Sequence, residues 1–245
     1  MDVVIAGLGL IGGSLGKALR ARGWHVSFVD PHVSFAAARA AGAADEMRER
    51  LEGEIIVLAT PSDIARAQLA ALGGTDSVVT SVSGVMGPLR EAAVDVNFVA
   101  GHPFAGSEHR GLEVADAALF VKRPWFVDRT DEKVMAMIAA TGAEAVLVDA
   151  AEHDRVMALT SHLPQVVATA LGSLLDGVDP RLIGSGAKSM LRLAGSSYAV
   201  WQPILEQNND NISAAAQQLW ETMRSISAED FERAQRLYRN EVRGK

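Results

Sequence analysis

The chain has 245 residues, 49% hydrophobic and 22% charged, with no cysteine. This is ordinary globular composition, and it excludes disulfides, thiolate catalysis and cysteine-held zinc. A formal net charge of -7 argues against nucleic acid as a partner, because phosphate binding wants a basic surface.

No run reaches the roughly 18 apolar residues of a membrane span. The start, Met1-Asp2-Val3-Val4-Ile5, lacks the basic n-region of a secretory leader. A cytoplasmic protein without a membrane partner is expected. Strands are expected over 3–7, 25–30, 55–60, 77–82 and 97–100, with helices over 12–22, 34–43, 62–72 and 86–94 between them. Two later strands, 125–127 and 145–148, flank a helix over 132–141. This alternation implies a parallel sheet with helices on both faces. Past residue 151 the strand-like runs stop. Apolar residues recur at three and four, and helices are expected over 152–175, 181–193, 199–208, 211–226 and 228–242.

Gly7-Leu8-Gly9-Leu10-Ile11-Gly12 fits the pattern G-x-G-x-x-G. The pattern alone is weak, but here it closes a strand and opens a helix, as dinucleotide binding requires. Gly7 permits the tight turn, Gly9 lets backbone approach a pyrophosphate, and Gly12 lets helix and strand pack closely. The phosphates would lie at the helix N-terminus, beside Leu10 and Ile11. Asp30 ends the second strand. A carboxylate there accepts hydrogen bonds from ribose hydroxyls and repels a 2′-phosphate, so NAD rather than NADP is expected. As a plain turn residue before Pro31 it would need no ligand. Thr60 and Pro61, at the end of the 55–60 strand, should border the cofactor. The reading is an α/β chain with a Rossmann-type parallel sheet over 1–150 and an all-helical domain over 151–245. So thin a helical stretch would bury its faces more comfortably against a second copy. No metal site is expected.

Three further stretches narrow the reading. They are Gly101-His102-Pro103-Phe104-Ala105-Gly106-Ser107, then His153-Asp154 followed by Ser161-His162-Leu163-Pro164, and Gly186-Ala187-Lys188-Ser189-Met190-Leu191-Arg192-Leu193-Ala194. With the glycine motif, in this order and spacing, they resemble the prephenate/arogenate dehydrogenase family of tyrosine biosynthesis. The resemblance runs from residue 1 to at least Trp201. It implies a homodimer with a helical C-terminal dimerisation domain. It also implies oxidative decarboxylation of a small anionic cyclohexadienyl substrate, with hydride passing to NAD.

The resemblance assigns roles residue by residue. His102 matches the catalytic histidine, a neutral imidazole that takes the alcohol proton. A structural histidine held by Pro103 at a strand end is the bland alternative. Arg192 matches the arginine that forks onto the substrate carboxylate, whereas Lys188, four residues earlier, reads as part of a solvated basic face. Ser107 and Ser161 match positions near substrate and nicotinamide, or are caps. His162 could line the pocket. His153 reads as structural, with Asp154 as its partner.

The chain departs from the family pattern at several points. Gln165 replaces a histidine after Ser161-His162-Leu163-Pro164, and Leu191 replaces a threonine before Arg192. The stretch Thr80-Ser81-Val82-Ser83-Gly84-Val85-Met86 lacks the usual aspartate and lysine and carries glycine at the usual serine. Ser83 is a candidate substitute, shifted by one residue. Gln165 and Ser83 are therefore read as substrate contacts, with prephenate, arogenate and 4-amino-4-deoxyprephenate all open as substrates. The rival readings are a β-hydroxyacid dehydrogenase, which would need a lysine motif only partly matched by Gly184-Ser185-Gly186-Ala187-Lys188, and a non-catalytic NAD-sensing protein.

Overall fold

The computed structural model describes residues 1–106 and 109–242. The N-terminal part runs β1 (Asp2–Ala6), α1 (Leu10–Arg20), β2 (His25–Val29), α2 (Phe35–Ala40), β3 (Glu46–Met47), β4 (Ile55–Leu58), α3 (Ser62–Ala71), β5 (Val78–Ser81), α4 (Gly87–Ala92) and β6 (Phe98–Val99). Among the described residues these strands form one parallel sheet in the order β3-β2-β1-β4-β5-β6. Val3 to Ala6 and Ile55 to Leu58 are fully buried. Both faces of β1 and β4 are therefore covered, which is why these two strands read as unbroken apolar runs. The strand order reverses between β1 and β4, and the crevice beyond their carboxyl ends is where such sheets bind ligands.

The later strands leave this sheet. β7 (Gly101–Pro103), β8 (Pro124–Val127) and β9 (Glu144–Leu147) form a second, three-stranded sheet, with α5 (Glu132–Thr141) between β8 and β9. β7 runs antiparallel to β8, and β8 parallel to β9. The parallel sheet expected from the alternation thus stops at β6. The cause is local. The Ala100 N–H donates to the Asp128 carboxylate at 2.9 Å instead of extending the ladder. Ser81 Oγ then bonds both the N–H and the carbonyl of Gly101 at 3.2 Å, so the second sheet starts beside the end of β5.

The C-terminal part is helical: α6 (Ala150–Met157), α7 (Leu163–Leu174), α8 (Ser185–Leu191), α9 (Tyr198–Gln207), α10 (Asn209–Arg224) and α11 (Ala228–Leu237). The single helix expected over 152–175 is interrupted by a wide π turn at Ala158–His162, closed by Leu163 N–H to the Ala158 carbonyl. Pro164 explains the break. It has no N–H to donate, and its ring crowds the carbonyl four residues back. No helix among the described residues is long and apolar enough to cross a membrane.

Candidate active site

The glycine loop leads from β1 into α1. Gly7 has φ +88°, a left-handed conformation that glycine adopts without strain. A Cβ on Gly12 would stand 2.0 Å from the Gly7 carbonyl oxygen, so only glycine lets the helix start this close to the strand. A Cβ on Gly9, by contrast, would meet no protein atom within 4 Å. The protein itself does not require glycine there; a ligand lying on the loop would. Gly9 caps α1 without a side-chain bond, leaving the first-turn N–H groups of Leu10 and Ile11 available to an anion. Asp30 holds the loop from the end of β2. Its Oδ2 accepts from Leu8 N–H at 2.8 Å, and its Oδ1 accepts from His32 and Val33 N–H at 2.7 and 3.1 Å. Thr60 Oγ1 donates to Gln68 Oε1 at 2.8 Å, and Pro61 is the N-cap of α3. These groups gather at the carboxyl ends of β1, β2 and β4, and they fit a dinucleotide.

His102 sits on β7, opposite Phe126 of β8. Its ring packs against Phe104 and Phe126, with centroids 6.0 and 6.1 Å away. Its Nδ1 lies 2.9 Å from His153 Nε2, and His153 Nδ1 lies 2.8 Å from Asp154 Oδ1. Its Nε2 faces Gly84: a Cβ placed on that glycine would stand 4.0 Å from Nε2 and 3.9 Å from Ile204 Cδ1. Burial pushes the His102 pKa down to about 3, and charge on His153 or His162 would push the same way. His102 is therefore a neutral imidazole whose Nε2 has no hydrogen-bond partner among the described residues.

His162, on the π turn, is also buried. Burial lowers its pKa to about 4; Asp154 opposes this and His153 adds to it. Its Nδ1 is 3.1 Å from Asn208 Nδ2, and its ring meets Trp201 edge-on at 6.0 Å. The structure thus brings His102, His153, Asp154, His162 and Asn208 into one network across the junction of the two parts. The sequence pairs His153 with Asp154 correctly, but nothing in it places His153 against His102, 51 positions away. Asn208 carries no motif at all and is missed.

The remaining sequence candidates separate. Ser83 Oγ accepts from Val85 N–H at 3.3 Å, and the residue facing His102 is Gly84 rather than Ser83. Gln165 is buried and turns its amide to Thr169 Oγ1 at 3.2 Å, within its own helix. Ser161 is half-buried on the π turn. Arg192 is exposed at the end of α8 and has no ion pair among the described residues; Lys188 is likewise exposed. Ser107 lies outside the described residues.

Two family models cover this geometry. Residues 149–238 match the prephenate dehydrogenase dimerization domain, and residues 15–146 match the prephenate dehydrogenase nucleotide-binding domain. The chain belongs to the prephenate dehydrogenase family. The glycine motif precedes the matched stretch, so the loop geometry supports it independently. The probable prephenate dehydrogenase of Streptomyces niveus is 30% identical over 93% of this chain and 70% of its own length. The prephenate dehydrogenase of Bacillus subtilis is 28% identical over 86% of this chain, which spans 65% of that enzyme's length. Among solved structures, Aquifex aeolicus prephenate dehydrogenase in complex with hydroxyphenyl propionate and NAD+ superposes with a TM-score of 0.86. That match has 25% identity and covers 100% of this chain and 98% of the other.

Proposed function

We propose that this chain catalyses NAD-dependent oxidative decarboxylation of a cyclohexadienyl acid. The substrate is prephenate or arogenate, and the products are 4-hydroxyphenylpyruvate or tyrosine, carbon dioxide and NADH. The observation that carries the reading is His102, held neutral by burial and bonded through Nδ1, with Nε2 beside Gly84 and without a hydrogen-bond partner among the described residues. The cofactor is held by Gly7, Gly9, Leu10, Ile11, Gly12, Asp30, Thr60 and Pro61, and when bound it supplies the hydride acceptor. Residues 1–150 form this cofactor domain. Residues 151–245 supply substrate contacts and the homodimer interface of a cytoplasmic enzyme.

His102 Nε2 accepts the 4-hydroxyl proton as hydride leaves the same carbon, and the oxygen becomes a carbonyl. The ring carboxylate then leaves as carbon dioxide, and its bonding electrons flow into the ring, which becomes aromatic. The resulting phenolate oxygen takes the proton back from His102. Because aromatisation drives the second step, the protein's task is positioning. Arg192 binds a substrate carboxylate, with Ser107, Ser161, His162 and Gln165 lining the pocket. The negative charge of the substrate raises the basicity of His102 from its low resting value.

The test is NADH formation by purified protein supplied with NAD and, in parallel, prephenate, arogenate or 4-amino-4-deoxyprephenate. Turnover of prephenate or arogenate is expected. Nucleotide binding without reduction on any of the three would overturn the reading in favour of a binding protein. Turnover of the amino compound alone would move the chain to amine chemistry.

A further inference from the structure

We propose that Asp154 and Asn208 are positioning residues that fix the two active-site histidines as opposite tautomers. His102 carries its proton on Nδ1, and His162 carries its proton on Nε2. The use made of these tautomers rests on the function proposed above; the tautomers themselves follow from the bonds.

The chain of reasoning starts at Asp154, which is 3% exposed. Its Oδ1 and Oδ2 accept from the backbone N–H groups of Met86 and Gly87, each at 2.8 Å. A backbone amide only donates, so this carboxyl is held as an acceptor on both oxygens. His153 Nδ1, 2.8 Å from Oδ1, must therefore carry a proton. A neutral imidazole has one N–H, so His153 Nε2 presents a lone pair. His102 Nδ1, 2.9 Å from it, must donate, and that leaves His102 Nε2 bare. The alternative is a doubly protonated His153. It would place a charge in a site 2% exposed, edge-on to Phe126 at 5.5 Å, beside a carboxylate already bonded to two amides.

The second arm uses the backbone of the same residue. Asn208 Nδ2 donates to the Asp154 carbonyl at 2.8 Å, and Asn208 Oδ1 accepts from Asn211 Nδ2 at 2.8 Å. Those two bonds fix which way the amide points. The other Nδ2 hydrogen meets His162 Nδ1 at 3.1 Å, so that nitrogen accepts and the ring proton is on Nε2. One histidine is thereby a ready proton acceptor and the other a hydrogen-bond donor, suited to a substrate oxygen. Proton uptake at His102 Nε2 leaves a charge that Nδ1–H shares with His153, itself bonded to Asp154.

The experiment is heteronuclear NMR of the imidazole nitrogens in the full-length protein without substrate, at neutral pH. The expected spectrum has His102 protonated only at Nδ1 and His162 only at Nε2. Protonation of His102 at Nε2, or averaging between tautomers, would overturn the proposal. Two variants extend the test. In His153→Gln an amide oxygen still accepts from His102 Nδ1, so the tautomer should persist and kcat should stay within about tenfold. In His153→Leu the acceptor is gone, the tautomer should be lost, and kcat should fall about 100-fold or more with KM little changed. Equal tautomers and equal kcat in the two variants would also reject the proposal. Asn208→Leu should release His162 alone. Because the spectra need no substrate, the expected tautomers without cyclohexadienyl turnover would keep this inference and reject the proposed function, and the converse result would do the opposite.

Discussion

In the N-terminal sheet, Val3 to Ala6 and Ile55 to Leu58 are fully buried; after residue 175, among the described residues, only Asn208, Ile212 and Ala215 are buried. The same stretch leaves Leu182 at 78% exposure, Trp220 at 60% and Phe231 at 59%. The first half closes its own core. The second is built like half of a core, the anatomy of an obligate interface, in agreement with its match to a dimerization domain. The histidine network lies where the halves meet, with His102 in the first and His153, Asp154, His162 and Asn208 in the second.

The largest expected effect tests that junction. His102→Asn should lower kcat by roughly 10²–10⁴-fold, the loss typical of a missing general base, with little change in KM. A near-normal kcat would move the base elsewhere, with His162 next in line. Arg192→Gln probes the helical half as a binder. A hydrogen bond to a charged group contributes roughly 1.5–3 kcal/mol, so KM should rise about tenfold to a hundredfold while kcat holds. Unchanged KM would mean that this exposed arginine never meets substrate. Trp220→Glu puts a charge on an exposed apolar face. Sedimentation at micromolar protein should show a dimer for the parent chain and a monomer for the variant; a monomeric parent would erase the contrast between the halves.

Two smaller effects follow from titration and from the loop. His102 and His162 are held at about 3 and about 4, below the ordinary 6.5. The unfolded chain therefore takes up protons that the folded chain refuses. Stability from these groups is complete above pH 6.5 and declines as pH falls toward 4 and 3. The thermal midpoint of His162→Asn should fall less steeply over that window than that of the parent. A parallel decline would show that other groups set the acid limit. Finally, Asp30→Ser should narrow the preference for NAD over NADP in kcat/KM by about tenfold, the scale of one charged hydrogen bond. Because Asp30 also holds Leu8 N–H, a loss of affinity for both cofactors alike would assign it to loop support instead.

The sequence made most of the first half legible because β1 and β4 are unbroken apolar runs and β2 and β5 mainly apolar ones, whereas the two-residue edge strand β3, Glu46–Met47, is exposed and carries no such signal. The departure at β7 was hidden because it depends on Asp128 capturing the Ala100 N–H, 28 positions away. The histidines were visible as motif members, and His102 in particular. Their mutual contacts were not, because packing rather than spacing sets them. Asn208 was invisible for a sharper reason: it closes the expected 199–208 helix and belongs to no motif, and its role exists only once Asp154 and His162 are both beside it.

The π turn at Ala158–His162 acts as a phase shift. A helix advances about 100° per residue, so one extra residue in a turn rotates everything downstream by that amount. Deleting a single residue there, Thr160 for example, would let α6 and α7 run on smoothly, yet it would swing the buried side of α7, with Leu163, Gln165 and Ala168, toward solvent. The irregularity that looks like a flaw in the helix is therefore what keeps its two segments facing the same interior. The loss of one residue there would harm the chain more than most substitutions at the same place.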